Sequence, residues 1–104
     1  MIIREWKYED ILRISQIEKE CFPQEPWSFK TLASGFETEA FFGVLAEDCG
    51  EIAGYGGITV AADTADIDNI AVTEPYRNSG VGTKVLNSLC DLAKSKGVKK
   101  VFLE

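Results

Sequence analysis

The chain of 104 residues contains no histidine, only three cysteines and no apolar run long enough to cross a bilayer. Without histidine, the chain cannot form a Ser-His-Asp or Cys-His catalytic group, nor a histidine-ligated metal site. Cys21, Cys49 and Cys90 are odd in number and far apart, so they predict neither a disulfide framework nor a zinc site. These absences predict a protein of the reduced, cytoplasmic compartment that has no histidine-ligated metal.

Positive charge is also scarce in this chain. Lysine and arginine number 11 against 17 aspartates and glutamates, which gives a net charge of −6. Because non-specific nucleic-acid binding depends on cations that neutralise phosphates, this charge argues against a nucleic-acid partner. Charged residues at positions 4, 5 and 7 interrupt the first apolar run, which predicts no signal peptide and no membrane association. The remaining composition, 45% hydrophobic and 27% charged, is typical of one globular domain over residues 1–104.

Hydrophobic periodicity predicts the element order β-α-α-β-β-β-α-β, an α/β (α+β layered) architecture with a mixed central sheet. The predicted strands cover residues 1–6, 40–46, 51–60, 67–72 and 98–103. The predicted helices cover residues 9–21, residues 29–36 with Ser28 as N-cap, and the segment from Val81 to a capping Gly97. Because the last strand follows a crossover helix, we expect it to lie parallel to strand 67–72.

Three further local features are predicted. Residues 63–66 are expected to form a turn. Glycines 54, 56 and 57 indicate a bulge or the close approach of another backbone. The glutamates at positions 5, 9, 18 and 20 are most simply interpreted as a solvated helix face.

The most informative segment is residues 77–82, Arg-Asn-Ser-Gly-Val-Gly, between an apolar strand and a long amphipathic helix. Such a helix start leaves backbone N–H groups unpaired, and the helix macrodipole adds positive potential there. This favours a phosphate or pyrophosphate, to which Arg77 can add charge-assisted hydrogen bonds. The loop alone is weak evidence, because glycines at a turn also serve backbone geometry. It lacks the Gly-Lys-Ser/Thr of a Walker A loop, and Val85 stands where a dinucleotide fingerprint needs its third glycine.

Three segments together carry a more specific signal. Asn69-Ile-Ala-Val, the Pro75-Tyr76 turn, the loop at 77–82 and the leucine-rich helix after it resemble the acetyl-CoA signature of the GNAT N-acetyltransferases. Within that superfamily, residues 21–28 resemble the FP-x-PWS segment of the RimI-like branch, and residues 101–104 resemble the start of its L-x-L-E-V-R strand. This resemblance covers nearly the whole chain. It implies a GNAT-like fold, acetyl-CoA as cosubstrate, no metal, and a protein N-terminus as acceptor, namely the N-terminal alanine of a ribosomal protein.

The resemblance also implies roles for particular residues. Glu104 stands where the family places its general base, and Trp27 would line the groove of the acceptor peptide. Backbone groups at the strand end would align the pantetheine arm and the acetyl group, with the Val72 N–H polarising the thioester carbonyl. Backbone N–H groups of the loop would hold the pyrophosphate. The cofactor-binding residues implied in this way are Ile70, Ala71, Val72, Arg77, Asn78, Ser79, Gly80, Val81, Gly82 and Thr83.

The sequence departs from the RimI-like pattern at its end. That pattern continues with an arginine, a downstream asparagine and a tyrosine that acts as general acid, and none of these follows Glu104. Tyr8, Tyr55 and Tyr76 lie outside the matching region. The N-acetyltransferase domain over residues 1–104 is therefore expected to be incomplete at its C-terminus, with an open sheet edge available for self-association. Two alternatives stay open: a catalytically silent module that binds coenzyme A or pairs through that edge, and a GNAT enzyme that acetylates a small-molecule amine.

Overall fold

The computed structural model describes residues Met1–Leu103 and contains a five-stranded sheet whose spatial order follows the chain. Its strands are β1 (Ile2–Glu5), β2 (Phe41–Asp48), β3 (Glu51–Ala61), β4 (Thr64–Val72) and β5 (Lys100–Leu103), and its helices are α1 (Ile11–Cys21), α2 (Phe29–Phe36) and α3 (Val81–Ser95). Neighbouring strands from β1 through β4 are antiparallel to each other, and β5 is parallel to β4. The predicted mixed α/β sheet, its element order and its parallel last strand are confirmed.

The helix ends follow local sequence signals. α2 begins after Ser28, whose hydroxyl accepts the Thr31 N–H at 3.2 Å, as expected of an N-cap. α1 ends at Cys21, close before Pro23, whose ring disfavours a helical conformation in the residue preceding it. Gly97 follows α3 with a φ of +82°, the left-handed conformation that commonly terminates a helix. These boundaries are local in origin, and the sequence predicted them.

Several strand boundaries differ from the predictions by one to three residues, and two of these differences have a clear local cause. β4 begins at Thr64 and not at residue 67, because Ala62 adopts a left-handed conformation (φ +55°) and completes the reversal together with Asp63. The predicted turn over residues 63–66 is therefore wrong beyond Asp63. β5 begins at Lys100 and not at residue 98, since the Lys99 N–H first donates to the Asp63 carbonyl at 2.6 Å.

The sheet separates two hydrophobic clusters. On one face α3 packs Val85 and Leu89 against the strands, and on the other α1 and α2 surround Tyr55. A Cβ added at Gly56 of β3 would lie 2.8 Å from Leu89 and 3.1 Å from Val85. The close approach at Gly56 is therefore made by side chains of α3 and not, as one predicted alternative had it, by the backbone of that helix. The predicted bulge is confirmed, as a register shift beside Gly57.

β5 forms one edge of the sheet over the residues that the structure describes. Three of its apolar side chains, Val101, Phe102 and Leu103, are exposed. Self-association through this edge stays a prediction. None of the helices between Met1 and Leu103 is long and apolar enough to cross a membrane.

Candidate cofactor and acceptor site

The free side of β4 forms one wall of the candidate site. Within residues 1–103, β5 pairs only with the first four residues of β4. The Thr73 N–H donates to the Ala53 carbonyl at 2.9 Å, which makes the neighbouring pair at Val72 a non-hydrogen-bonded one. By the alternation of the ladder, the N–H groups of Ile70 and Val72 point away from β3, and that of Ala71 points toward it. The strand end can therefore hydrogen-bond an extended ligand laid along its free side.

The segment after β4 is a short turn, Glu74–Tyr76, that is tied at both ends. The Thr73 hydroxyl donates to the Ala53 carbonyl at 3.1 Å, and the Tyr76 hydroxyl donates to Asp48 Oδ2 at 2.9 Å. The hydrogen bond to Asp48 raises the pKa of Tyr76 above its ordinary value, so the hydroxyl remains a donor at neutral pH. The turn thus delivers the chain to the glycine loop in a defined position.

The glycine loop presents a row of free amides. Consecutive backbone N–H groups donate to no acceptor among the described residues: those of Asn78, Ser79, Gly80, Val81, Gly82 and Thr83. The hydrogen bond that opens α3 runs from the Lys84 N–H to the Gly80 carbonyl, at 3.1 Å. Asn78 and Gly80 are both left-handed, with φ values of +63° and +84°. Left-handed residues within a turn direct successive N–H groups toward one point, which forms an anion-binding concavity.

The loop also has the charge and the space that a diphosphate needs. Arg77 and Lys84 flank it, and the first turn of α3 contains no acidic residue although the chain carries a net charge of −6. Apart from the two residues adjacent in the chain, no residue from 1 to 103 has an atom within 4 Å of a Cβ built at Gly80, whereas one built at Gly82 would lie 3.4 Å from Val72 Cγ2. Gly80 therefore leaves the concavity open, and Gly82 lets α3 lie close to β4. These features fit a diphosphate at the start of α3.

Arg77 is placed differently from the residues that follow it. Its backbone N–H donates to the Glu74 carbonyl at 3.2 Å, so this amide closes the turn and does not join the free row. Its guanidinium Nε donates to the Val72 carbonyl at 3.0 Å, and Nη2 lies 3.5 Å from Cys21 Sγ. The side chain thus ties the end of β4 to the end of α1 and places a positive charge beside the loop.

A cavity of about 240 Å³ lies between α2 and the sheet. Trp27, Leu32 and Phe41 give it an apolar wall, and Thr59 and Asp68 supply polar groups. The Thr59 hydroxyl donates to Asp68 Oδ2 at 2.5 Å. Trp27, which the sequence predicted to line an acceptor groove, lines this cavity. Since Asp68 lies on β4, the cavity adjoins the strand that leads, through the Glu74–Tyr76 turn, into the glycine loop.

A buried carboxylate connects the cavity wall to β4. Glu18 of α1 is only 1% exposed. Its Oε1 accepts the Trp27 backbone N–H at 3.1 Å, and its Oε2 accepts Asn69 Nδ2 at 2.5 Å and the Tyr55 hydroxyl. Burial, together with the hydrogen bond to Glu18, raises the pKa of Tyr55 well above its ordinary value, so the hydroxyl stays protonated.

The interpretation of the glutamates as a solvated helix face is wrong at Glu5, which is exposed but lies in β1, and at Glu18. Glu9 and Glu20 are exposed, as expected, but Glu18 lies one helical turn after the buried Ile14 and shares its stripe. The spacing of one helical turn from Ile14 was the sequence signal that could have predicted the burial of Glu18. Glu104, the predicted general base, lies outside the described residues.

The α/β sheet has a strand edge open to an extended ligand, next to a helix start lined with amides, and this geometry suits an elongated, phosphorylated ligand. The model of the acetyltransferase (GNAT) family matches residues 11–104. The chain belongs to this family.

Two related proteins align with most of this chain. A putative ribosomal protein bS18-alanine N-acetyltransferase of Bacillus subtilis (strain 168) is 32% identical over 104 residues, covering 98% of this chain and 68% of that protein. The ribosomal protein bS18-alanine N-acetyltransferase of Escherichia coli (strain K12) is 34% identical over 79 residues, covering 76% of this chain and 53% of that protein. The chain therefore spans about half to two thirds of the length of these relatives.

Solved structures share the fold. The crystal structure of the ribosomal-protein-S18-alanine N-acetyltransferase from Escherichia coli superposes with a TM-score of 0.87 at 29% identity, covering 98% of this chain and 64% of that one. An aminoglycoside 6'-N-acetyltransferase complexed with coenzyme A superposes with a TM-score of 0.90 at 21% identity, covering 99% of this chain and 61% of that one.

Proposed function

We propose that this chain binds acetyl-CoA and transfers its acetyl group to a primary amine. The observation that carries the proposal is the row of unpaired amides from Asn78 to Thr83, next to the free side of β4. Family membership and relatives named as N-acetyltransferases support it. Coenzyme A, which one structural neighbour binds, has a diphosphate and an amide-bearing pantetheine arm. The amides of the loop can donate hydrogen bonds to the diphosphate, and the strand edge can hydrogen-bond the pantetheine arm.

In this proposal two regions of the chain bind different parts of the cosubstrate. The amides of residues 78–83 bind the diphosphate, and the α3 dipole stabilises its charge. Arg77 contributes through its guanidinium, because its own N–H is used in the turn. The N–H groups of Ile70 and Val72 pair with the pantetheine arm and the acetyl carbonyl. Ala71, whose N–H faces β3, keeps the strand in register.

Acetyl transfer requires an amine in its neutral form. An N-terminal α-amino group has a pKa of about 8, so a carboxylate that accepts its proton during attack increases the rate. We assign this role to Glu104. Attack on the thioester carbonyl produces a tetrahedral oxyanion, which the Val72 N–H stabilises. The carbon–sulfur bond then breaks, and coenzyme A leaves as a thiolate, since a thiol has a pKa of only about 8.5.

The proposed acceptor is the N-terminal alanine of a ribosomal protein, in the cytoplasm, bound beside Trp27. Two relatives named for ribosomal protein bS18 support a protein acceptor. The cavity supports it as well, because its apolar wall suits a small side chain and the Asp68 carboxylate suits a cationic N-terminus. A small-molecule amine is the competing acceptor that the test includes.

Binding is tested first, by calorimetry of the chain with acetyl-CoA and with the full-length Escherichia coli relative as positive control. We expect measurable binding; its absence, with binding by the control, contradicts the proposal.

Turnover is tested by mass spectrometry with a peptide that begins with alanine, the same peptide with a blocked N-terminus, and a panel of small amines. We expect acetylation of the free peptide alone, reduced about 10²- to 10⁴-fold in Glu104→Gln. Binding without any product would identify the silent module, and acetylation of small amines alone would reassign the acceptor.

A further inference from the structure

Glu18 is a buried carboxyl group that has no ion-pair partner among the residues that the structure describes. The ion pairs among the described residues join Arg4 to Asp10 and to Glu47, and Arg13 to Glu20. Burying a carboxylate without a counter-ion is costly, and apolar replacements of buried charges are often neutral or stabilising. An apolar residue would pack at this position as Ile14 does one turn earlier. Helix stability alone therefore does not account for a carboxylate here.

The groups that Glu18 holds lie in or next to the proposed site. Trp27 lines the cavity, Asn69 directly precedes Ile70 on β4, and Tyr55 is the ladder partner of Ala71. Glu18 thus joins the cavity wall to the strand that would carry the thioester.

The segment that carries Trp27 depends strongly on this carboxylate. Residues 23–27 have no regular secondary structure. Within the part of the chain that the structure describes, the Trp27 N–H to Glu18 Oε1 bond is the one hydrogen bond that these five residues make. Removing the acceptor would leave this wall without a polar tie to the body of the domain.

We propose that Glu18 is a positioning residue that sets the distance between the Trp27 wall and β4, and thereby the affinity for the acceptor amine. This inference rests on the proposed acetyl-transfer function. Glu18 touches no reacting atom and acts only through the groups that it holds. It should therefore affect acceptor binding most. The diphosphate contacts of coenzyme A lie at the amide row, which no hydrogen bond of Glu18 reaches, and they should keep the coenzyme A Kd within about twofold.

The test uses Glu18→Leu combined with Tyr55→Phe, compared with Tyr55→Phe alone. Tyr55 is 1% exposed, so its hydroxyl would be left unsatisfied if Glu18 alone were replaced, whereas Asn69 and Trp27 are partly exposed and can bond to water. The double variant therefore has the better prospect of folding. Glu20→Leu, at an exposed glutamate of the same helix, is the matched control.

Three quantities are measured on each variant, the third being the coenzyme A Kd by calorimetry. Hydrogen exchange by NMR follows the Trp27 amide, and fluorescence titration with a peptide that begins with alanine, in the presence of coenzyme A, gives the acceptor Kd without turnover. We expect Trp27 exchange to accelerate at least tenfold and the acceptor Kd to rise about tenfold in the double variant. The coenzyme A Kd should change less than twofold, and Glu20→Leu should match the wild type. Glu18→Gln retains an acceptor oxygen and should restore most of the affinity.

The outcomes separate this inference from the proposed function. Unchanged Trp27 exchange, or lost protection with an unchanged acceptor Kd, overturns the role of Glu18 whether or not the chain acetylates the peptide. Equal losses of acceptor and coenzyme A affinity also overturn it, because they indicate general loosening of the fold. A wild-type chain that binds peptide with the predicted dependence on Glu18 but makes no product refutes acetyl transfer alone. A wild-type chain that binds no peptide refutes the role of Glu18 and the peptide acceptor, and transfer to a small amine is then decided by the amine panel.

Discussion

α2 and α3 begin in opposite ways. At α2, the Ser28 hydroxyl accepts the Thr31 N–H, so the helix satisfies part of its own start. At α3, the equivalent position is Gly80, which is left-handed and has no side chain to accept a hydrogen bond. Both helices face the same problem of unpaired amides in their first turn. The protein itself satisfies part of the start of α2, whereas the uncapped start of α3 leaves amides that can bind a ligand.

The largest effect is expected from Gly80→Val. A β-branched side chain at φ +84° is strained, and its methyl groups would occupy the space in front of the free amides. Losing two charged hydrogen bonds to the diphosphate costs about 3–6 kcal/mol. Calorimetry should therefore show the coenzyme A Kd rising by more than about a hundredfold.

Gly97→Val is the matched control for this change. Gly97 has nearly the same backbone conformation (φ +82°), and like Gly80 it has, apart from the two residues adjacent in the chain, no neighbour within 4 Å of a built Cβ among residues 1–103. Both variants should lose similar stability, but only Gly80→Val should lose coenzyme A. If the two affinities fall together, the effect of Gly80 is one of folding, and the contrast between the two helix starts loses its functional meaning.

A smaller effect is expected from Gly82→Val. Its Cβ would meet Val72 Cγ2 at 3.4 Å, so the added methyl groups must push α3 away from β4. Overpacking of this kind costs about 1–3 kcal/mol of stability. Because the shift separates the amide row from the strand edge, the coenzyme A Kd should rise about tenfold in calorimetry.

Gly82→Ala is the graded comparison for this variant. Its single methyl group needs a movement of only a few tenths of an ångström, and we expect less than a threefold change in affinity. Equal losses in the two variants would show that the residue contacts the ligand directly and does not act through helix position.

These contrasts also indicate which parts of the molecule the sequence could predict. The Ser28 cap and the Gly80 loop are encoded within a few residues, and both were predicted. The early start of β4 was not predicted, because a left-handed Ala62 has no compositional signal and is imposed by strand pairing. Hydrogen bonds between residues far apart in the sequence were not predicted. Glu18, for example, bonds to Tyr55 and Asn69, which are 37 and 51 residues away.

The start of α1 gives a pH-dependent comparison. Asp10 accepts hydrogen bonds from Arg4 and from the Lys7 N–H in the turn before the helix. The Arg4 guanidinium holds the pKa of Asp10 below its ordinary value. Since the folded pKa is depressed, the stabilisation is present above the unfolded pKa of about 4 and is lost as the pH falls through the folded value.

Asp10→Asn should therefore lower the free energy of unfolding at pH 7 by about 1 kcal/mol, a figure reduced for the partial exposure of Arg4. Urea unfolding should show the difference from wild type shrinking below about pH 4. The coenzyme A Kd at pH 7 should not change. A difference that persists undiminished in acid would assign the effect to packing and not to charge.

The smallest effect is expected from Ser28→Ala, at the capped helix start. The bond to the Thr31 N–H is exposed and 3.2 Å long, so the loss lies at the low end for an N-cap, about 0.5 kcal/mol in urea unfolding. Ser28→Asp keeps an acceptor oxygen at the same place and should retain wild-type stability. Neither variant should change the coenzyme A Kd, because the Ser28 cap is satisfied by the protein itself and the amides of α3 are not. A loss of cosubstrate affinity in Ser28→Ala comparable to that of Gly80→Val would mean that the two helix starts serve one site, and that capping does not distinguish them.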